Sequence, residues 1–313
     1  MKSHDKVLIT GGAGLVGQNL IPQLKEAGFS NIVVLDKHAA NLNILRSLHP
    51  DVRALHVDLT VVGEWTEEFS ECGAVVQLHA QIGGLFEEEF VKNNVVATQN
   101  VLTAMETHGV NRLVHVSSSV VQSIADDWYT NTKKSQEQLV LGLEYSTVVL
   151  RPTLMFGWFD RKHLGWLSRF MKKSPIFPVP GNGRVTRQPL YAGDFSNIIV
   201  KCLMDRSITG VFNISGREKI DYIDIIKKIR RVTGARCLVM RIHPSIFRSL
   251  LKIWSRFDKN PPFTVQQLDA LLANEEFEMF DWPAKFGITP TSFESAIEKT
   301  FCDPTYGSVV LEF

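Results

Sequence analysis

Residues 10–17 of this chain read Thr-Gly-Gly-Ala-Gly-Leu-Val-Gly, directly after a short apolar run and directly before a helical pattern. That context turns a glycine triplet, weak on its own, into a constraint on the fold. Gly11 suits a tight turn, Gly14 lets the backbone approach a pyrophosphate, and Gly17 permits close packing of helix on strand. The first-turn N–H groups, those of Leu15 and Val16 among them, have no intrahelical acceptor, and the helix dipole favours a phosphate there. Asp36 closes the second apolar run, 19 residues beyond Gly17. A carboxylate at that place accepts from adenosine ribose hydroxyls and repels a 2′-phosphate, which favours NAD over NADP. Lys37 and His38 follow at once and would soften the preference.

Apolar runs at 7–10, 32–35, 52–57, 74–78, 113–116 and 147–150 alternate with helical patterns at about 15–28, 41–48, 87–107 and 129–142. The runs show little polar alternation, as expected of strands covered on both faces. Strict alternation implies an α/β fold, a doubly wound parallel sheet of the Rossmann type with right-handed crossovers. After Arg151-Pro152 the pattern changes: prolines and glycines crowd 175–183, and helical segments dominate from about 221. The expected division is a dinucleotide-binding domain over 1–151 and a smaller, mostly helical substrate lobe over 152–313, with some chain returning to the sheet. A length of 313 residues suits two units on a prior of about 150 each.

The net charge of +1 gives no electrostatic reason for a nucleic-acid partner. Cys72, Cys202, Cys237 and Cys302 are scattered without a CxxC pair, which argues against zinc or a disulfide framework and fits a reducing cytoplasm. Met1 to Asp5 are polar, unlike a secretory signal, and no apolar run is long enough to span a bilayer. The segment 242–257 is basic and amphipathic; it reads as a lobe helix with cations in solvent in preference to a membrane-surface element.

Tyr129 and Lys133 stand four apart at the start of a helical pattern, so both project from one face. Tyrosine is a poor base near pH 7, and a neighbouring ammonium stabilises its phenolate. Ser118 ends the fifth apolar run at the carboxyl edge of the sheet, where ligands bind and a hydroxyl could hold a substrate oxygen beside the tyrosine.

With these residues in place, the sequence resembles the extended short-chain dehydrogenase/reductases, in particular the NAD-dependent epimerase/dehydratase family that acts on nucleotide sugars. The likeness covers most of the chain. Residues 10–17 resemble the family's cofactor loop, Asp58-Leu59 its adenine-contacting pair, and Gln77-Leu78-His79-Ala80 a cofactor-side segment. Residues 94–100, beginning with Asn94, look like the NVxGTxN helix, with alanine at the usual glycine. Val116 to Ser119 resemble the serine strand, Tyr129 to Lys133 the catalytic helix with Glu137 four residues on, and Leu150-Arg151-Pro152 the LRP segment. Arg187 through Asp194 resembles a stretch whose arginine binds the substrate diphosphate. The resemblance implies NAD as cofactor and a homodimer through the helices at about 87–107 and 129–142. It implies no metal.

Where 4,6-dehydratases of the family place an Asp-Glu pair after the strand hydroxyl, this chain has Ser119 and Val120; where the 3,5-epimerising reductases place a cysteine, it has Val120 and Val121. His163 reads as structural. Only ten residues lie between Ser118 and Tyr129, so the intervening loop is short. The remaining chemistry is hydride transfer at one carbinol, with Asp36 tilting the reading toward a 4-epimerase. A 4-ketosugar reductase, a reductase of sterol-like substrates and a non-catalytic dinucleotide-sensing protein stay open as alternatives; Arg187 speaks against sterols, and an intact Ser118, Tyr129 and Lys133 against the sensor.

Overall fold

The computed structural model describes residues 5–257, 268, 271–272 and 280–312; Met1, Lys2, Ser3 and His4 of the polar N-terminus lie outside them. Consecutive residues of the first strand go to different places. Val7 and Ile9 enter one apolar cluster with Val34, Val76 and Val114, while Leu8 enters a second with Val33, Val75 and Leu113. A strand buried on both faces needs an unbroken apolar run, which is why these segments lack alternation. The strands are β1 (Lys6–Thr10), β2 (Ile32–Asp36), β3 (Arg53–His56), β4 (Cys72–Gln77), β5 (Arg112–Val116) and β6 (Ser146–Pro152). They pair in parallel in the spatial order β3-β2-β1-β4-β5-β6, and the late strand Gly210–Ile214 adds to β6, also in parallel. The order reverses between β1 and β4, which opens a crevice at the carboxyl edge.

Helices α1 (Leu15–Glu26) and α2 (Ala39–Leu48) precede an interrupted one: α3 (Glu87–Phe90), a π-helical turn over Val91–Val96, and α4 (Ala97–Thr107). Then comes α5 (Trp128–Leu141). Leu20, Ile21 and Leu24 of α1 share the first cluster with Phe195, Ile198 and Leu203 of the helix Ala192–Met204, so chain beyond residue 151 covers the sheet as well as extending it. Val101, Leu102 and Met105 of α4 cover the opposite face. A third cluster, including Phe156, Phe177, Ile226, Ile229 and Ile297, is the core of the C-terminal lobe.

Two features differ from the sequence reading. The proline-crowded stretch expected as loop contains a strand, Ile176–Pro180, paired in parallel with Leu238–Ile242. Pro178 and Pro180 are two apart, so the N–H each lacks falls on one side of the strand, and Phe177 and Val179 serve the partner. The other is Arg112, the first residue of β5, whose side chain is fully buried. Its guanidinium donates to the carbonyls of Ser146 (3.2 Å), Ile208 (3.0 Å), Asp205 (3.2 Å) and Cys202. Three of those carbonyls lie at or just past the C-terminal end of Ala192–Met204, where unpaired oxygens and the negative end of the dipole favour a cation.

Among the described residues no helix is long and apolar enough to cross a membrane. The four cysteines are free thiols.

Candidate active site

The loop between β1 and α1 is shaped by contacts that only glycine allows. Gly11 has φ +70°, and a Cβ there would lie 2.5 Å from the backbone of His79. A Cβ on Gly17 would come within 2.3 Å of the Gly12 carbonyl oxygen, so this glycine seats the helix on its own loop, where close packing on the strand was expected. Gly14, the N-cap of α1, offers no side-chain cap, and a Cβ on it would meet only the Gly11 carbonyl, at 3.4 Å. The N–H groups of Leu15 and Val16 therefore open the helix beside a position with room for a pyrophosphate, and the loop fits a dinucleotide. Asp36 ends β2 with both carboxylate oxygens held: Ala13 N–H donates to Oδ2 and His38 N–H to Oδ1, each at 2.9 Å. Burial pushes its carboxyl above the ordinary value against the pull of those two N–H groups. Lys37 turns away and donates to Asn93 Oδ1 at 2.6 Å, while His38 caps α2.

Behind the loop lies a buried polar network that fixes Lys133. Thr98 Oγ1 accepts from Gln77 Nε2 (2.7 Å) and from Gln136 Nε2 (2.8 Å). Its own hydrogen is left for His79 Nε2 at 3.1 Å, which puts the ring proton on Nδ1, facing Thr10 Oγ1 at 2.8 Å. The imidazole is neutral: burial, then the charges of Lys133 and Lys37, push it down to about 3. Gln136 Oε1 accepts from Lys133 Nζ at 2.5 Å, and the Val116 carbonyl accepts from it at 3.1 Å. Buried polar groups are costly unless paired, so this chain holds one arrangement. Gln136 was not singled out from sequence; Thr10, Gln77 and Thr98 lay within the quoted 10–17, 77–80 and 94–100 patterns but were given no role of their own.

The resting electrostatics differ from expectation at the tyrosine. Tyr129 is pushed above its ordinary value by burial; a hydrogen bond with Ser118 works the other way, and Asp127 adds to the rise. Lys133 is directed at Val116 and Gln136, and burial outweighs the Glu137 carboxylate in pulling its ammonium from 10.5 down to about 7. A base whose folded value is depressed destabilises the fold fully at pH below that value, and the cost fades as pH rises towards the unfolded value. Apoprotein stability is therefore expected to rise as pH increases from about 7 towards 10.5. Urea titrations at several pH values should show that rise in the wild type and lose it in Lys133→Met.

Ser118 caps the turn Ser119–Gln122, and its Oγ accepts from Val120 N–H at 3.4 Å. Asp127 caps α5 by accepting from the N–H and hydroxyl of Thr130 (2.9 and 2.8 Å), and Asp126 accepts from Asn131 Nδ2 at 2.7 Å. Both carboxylates of the short loop are thus used to start the helix that carries Tyr129. One turn past Lys133, Glu137 accepts from Ser117 Oγ at 2.5 Å and from the Arg151 guanidinium in a two-pronged, largely buried ion pair. This pair ties α5 to the ends of β5 and β6.

The other expected residues lie around this crevice or away from it. Asn94 is fully buried in the π-turn, where it accepts from Gln81 N–H (2.6 Å) and donates to Thr132 Oγ1 (3.0 Å). Its side chain holds the loop that begins at exposed Ala80. Asp58 is exposed and accepts from Thr60 N–H; Leu59 is buried, with its carbonyl held by Asn100 Nδ2 at 2.9 Å. Arg187 sits on a two-residue strand paired with Ile220 and donates to the Thr186 and Leu271 carbonyls at 2.9 and 2.6 Å. The backbone N–H of His163 donates to Asp160 Oδ1 at 3.0 Å, where Asp160 starts the helix Leu164–Lys173.

The sequence profile of the NAD dependent epimerase/dehydratase family matches residues 7–215, from the first strand through the last strand of the main sheet. The chain belongs to that family. It is an NAD-dependent enzyme of the extended short-chain dehydrogenase/reductase type, and its cofactor is NAD. Among relatives, a 3 beta-hydroxysteroid dehydrogenase/Delta 5-->4-isomerase of Mycobacterium tuberculosis is 25% identical over 299 residues, 85% of this chain and 80% of the relative. The fold is shared with WbmF of Bordetella bronchiseptica, solved with NADH (TM-score 0.76, 19% identity, 95% of this chain and 91% of that one). It is shared also with a UDP-glucuronic acid 4-epimerase of Bacillus cereus solved with NAD (TM-score 0.66, 23% identity, 76% and 87% of the two chains).

Proposed function

We propose that the chain is a nucleotide-sugar 4-epimerase, working as a cytoplasmic homodimer. The observation that carries the reading is Tyr129 set beside Ser118 at the carboxyl edge of the sheet, with Lys133 buried one turn further on and held by the Val116 carbonyl. When bound, NAD accepts a hydride from the sugar carbinol and returns it. Tyr129 Oη would take the hydroxyl proton as the carbon loses hydride and would return it to the same oxygen, the configuration inverting because the ketone turns and takes the hydride back on its other face. Ser118 Oγ donates to the same oxygen and holds it next to the phenol. Lys133, now held by Gln136 and the Val116 carbonyl, would hold the nicotinamide ribose when the cofactor binds, and its charge would lower the cost of the phenolate.

Dehydration would need an acid and a base beyond these three. Ser119 and Val120 supply neither, Asp127 caps the helix, and Asp126 accepts from the Asn131 side chain. Asp36 supports NAD over NADP, which tilts the reading toward an epimerase, since biosynthetic reductases more often use NADP. The diphosphate role assigned to Arg187 requires its guanidinium to exchange the Leu271 carbonyl for the ligand. The division into a dinucleotide-binding half over 1–151 and a substrate lobe over 152–313 belongs to the same proposal.

Incubation with UDP-sugars tests the reading. An isomerised sugar with no net NADH supports it; steady NADH formation, or consumption of a 4-keto sugar with NADH, overturns it. Asp36→Ala is expected to raise NADP binding relative to NAD by about ten-fold, the equivalent of 1.4 kcal/mol of removed repulsion. Titration calorimetry with both nucleotides checks this, and unchanged discrimination would assign the preference elsewhere. The proposed dimer would use the helices of 87–107 and 129–142, on which Val91 and Leu141 are exposed apolar side chains with Trp128 just before the second; light scattering should give twice the chain mass of 35.3 kDa.

A further inference from the structure

The helix Pro244–Phe257 presents an exposed apolar face among the described residues. Ile246, Leu250 and Ile253 are spaced i, i+4, i+7, which puts them in one stripe, and they remain 57%, 54% and 55% exposed. Phe247 and Leu251, on the neighbouring arc, are half-buried and seat the helix. The amphipathic pattern seen in the sequence is thus only partly explained by packing: one flank of the apolar arc docks and the other stays in water. A single residue, His243, separates this helix from the strand Leu238–Ile242, which exposes Leu238 and Met240.

Charge is segregated around the same stretch. Residues 227–257 hold nine Lys and Arg and no Asp or Glu, in a chain whose total is only +1. Some of these cations are matched from outside: Lys228 and Arg231 pair with Glu294. Arg236, Arg241 and Arg256 are exposed, and Arg256 lies i+3 from Ile253, beside the apolar stripe.

We infer that this face docks on the surface of an anionic lipid bilayer, with Ile246, Leu250 and Ile253 among the acyl chains and the arginines at the headgroups. An aliphatic stripe rimmed by cations, on a helix too short and too polar to span, is the pattern of an element lying in the membrane interface. Nucleic acid would satisfy the charge but gives three aliphatic side chains no apolar partner. A second copy of the chain would satisfy the apolar stripe but bring two cationic faces together, which repel. The face lies on the C-terminal lobe, outside the Ser118–Tyr129–Lys133 constellation, and the inference does not depend on the reaction assigned to that site.

The experiment is co-sedimentation of the full chain with two sets of vesicles, phosphatidylcholine alone and phosphatidylcholine with phosphatidylserine. Binding is expected to the anionic vesicles and to weaken as salt is raised. The triple variant Ile246→Ser, Leu250→Ser, Ile253→Ser keeps every charge and is expected to lose about 100-fold in partitioning, as roughly five-fold per half-exposed side chain implies. Arg241→Gln with Arg256→Gln, at two exposed positions, is expected to lose about five-fold per cation. Unchanged NAD binding in both variants shows that they are folded. The inference is overturned if anionic vesicles do not bind the wild type, if the triple variant binds them equally well, or if single-stranded RNA competes and binds independently of the stripe. It is overturned as well if the stripe variant lowers the oligomeric mass without changing vesicle binding.

Discussion

Tyr129→Phe is expected to lower turnover by about 10²–10⁴-fold, the usual contribution of a positioned acid/base group, while NAD still binds. The ring stays, so the packing of α5 is kept, and the cofactor loop at Gly11–Gly17 is built from other elements. What disappears is the oxygen that lies beside Ser118. Because burial holds the Tyr129 phenol above its ordinary value, wild-type turnover should rise with pH through the neutral range as the phenolate forms. That pH dependence should vanish from the residual rate of the variant. Single-turnover rates and calorimetric NAD titration separate the two effects. A variant within a few-fold of the wild type would remove Tyr129 from the chemistry.

Glu137→Ala is expected to destabilise the fold by about 3–5 kcal/mol, because it leaves the Arg151 guanidinium largely buried without its carboxylate. Glu137 and Arg151 are 6% and 20% exposed, so solvent screens the pair little. The same change strands the Ser117 hydroxyl, which donates to Glu137 at 2.5 Å. Denaturant titration should show a lower midpoint with an unchanged slope, and replacing Arg151 as well should recover part of the loss. A shift of less than about 1 kcal/mol, typical of an exposed pair, would contradict the burial.

These two predictions rest on residues of unequal legibility. The strands could be read almost to their ends because Val7-Leu-Ile9 or Val33-Val34 feed two separate cores and so must be apolar at every position. The glycine loop was legible for a similar reason: positive φ at Gly11 and the contact of Gly17 with Gly12 exclude other residues. The network around Lys133 was not. Gln77, Thr98 and Gln136 come from three elements, and nothing in the sequence joins them until the sheet order brings both glutamines to the oxygen of Thr98. The direction of the pKa shift at Tyr129 was missed for the same reason, since a four-residue spacing says which side chains share a face but not how dry that face is. Asn94 is expected to contact the cofactor, and its engagement with Gln81 and Thr132 across a π-turn is a feature that no periodicity announces.

The buried Arg112 imposes an order on synthesis. Its partners at Cys202, Asp205 and Ile208 are translated 90 or more residues after it, a delay on the order of ten seconds on the ribosome. Until they emerge, closing β5 against β6 would strand a cation in a dry interior, so the first half of the nascent chain has reason to stay open. The nucleotide-binding crevice is therefore completed late, by a helix and a strand that contribute none of its glycines, its serine or its tyrosine.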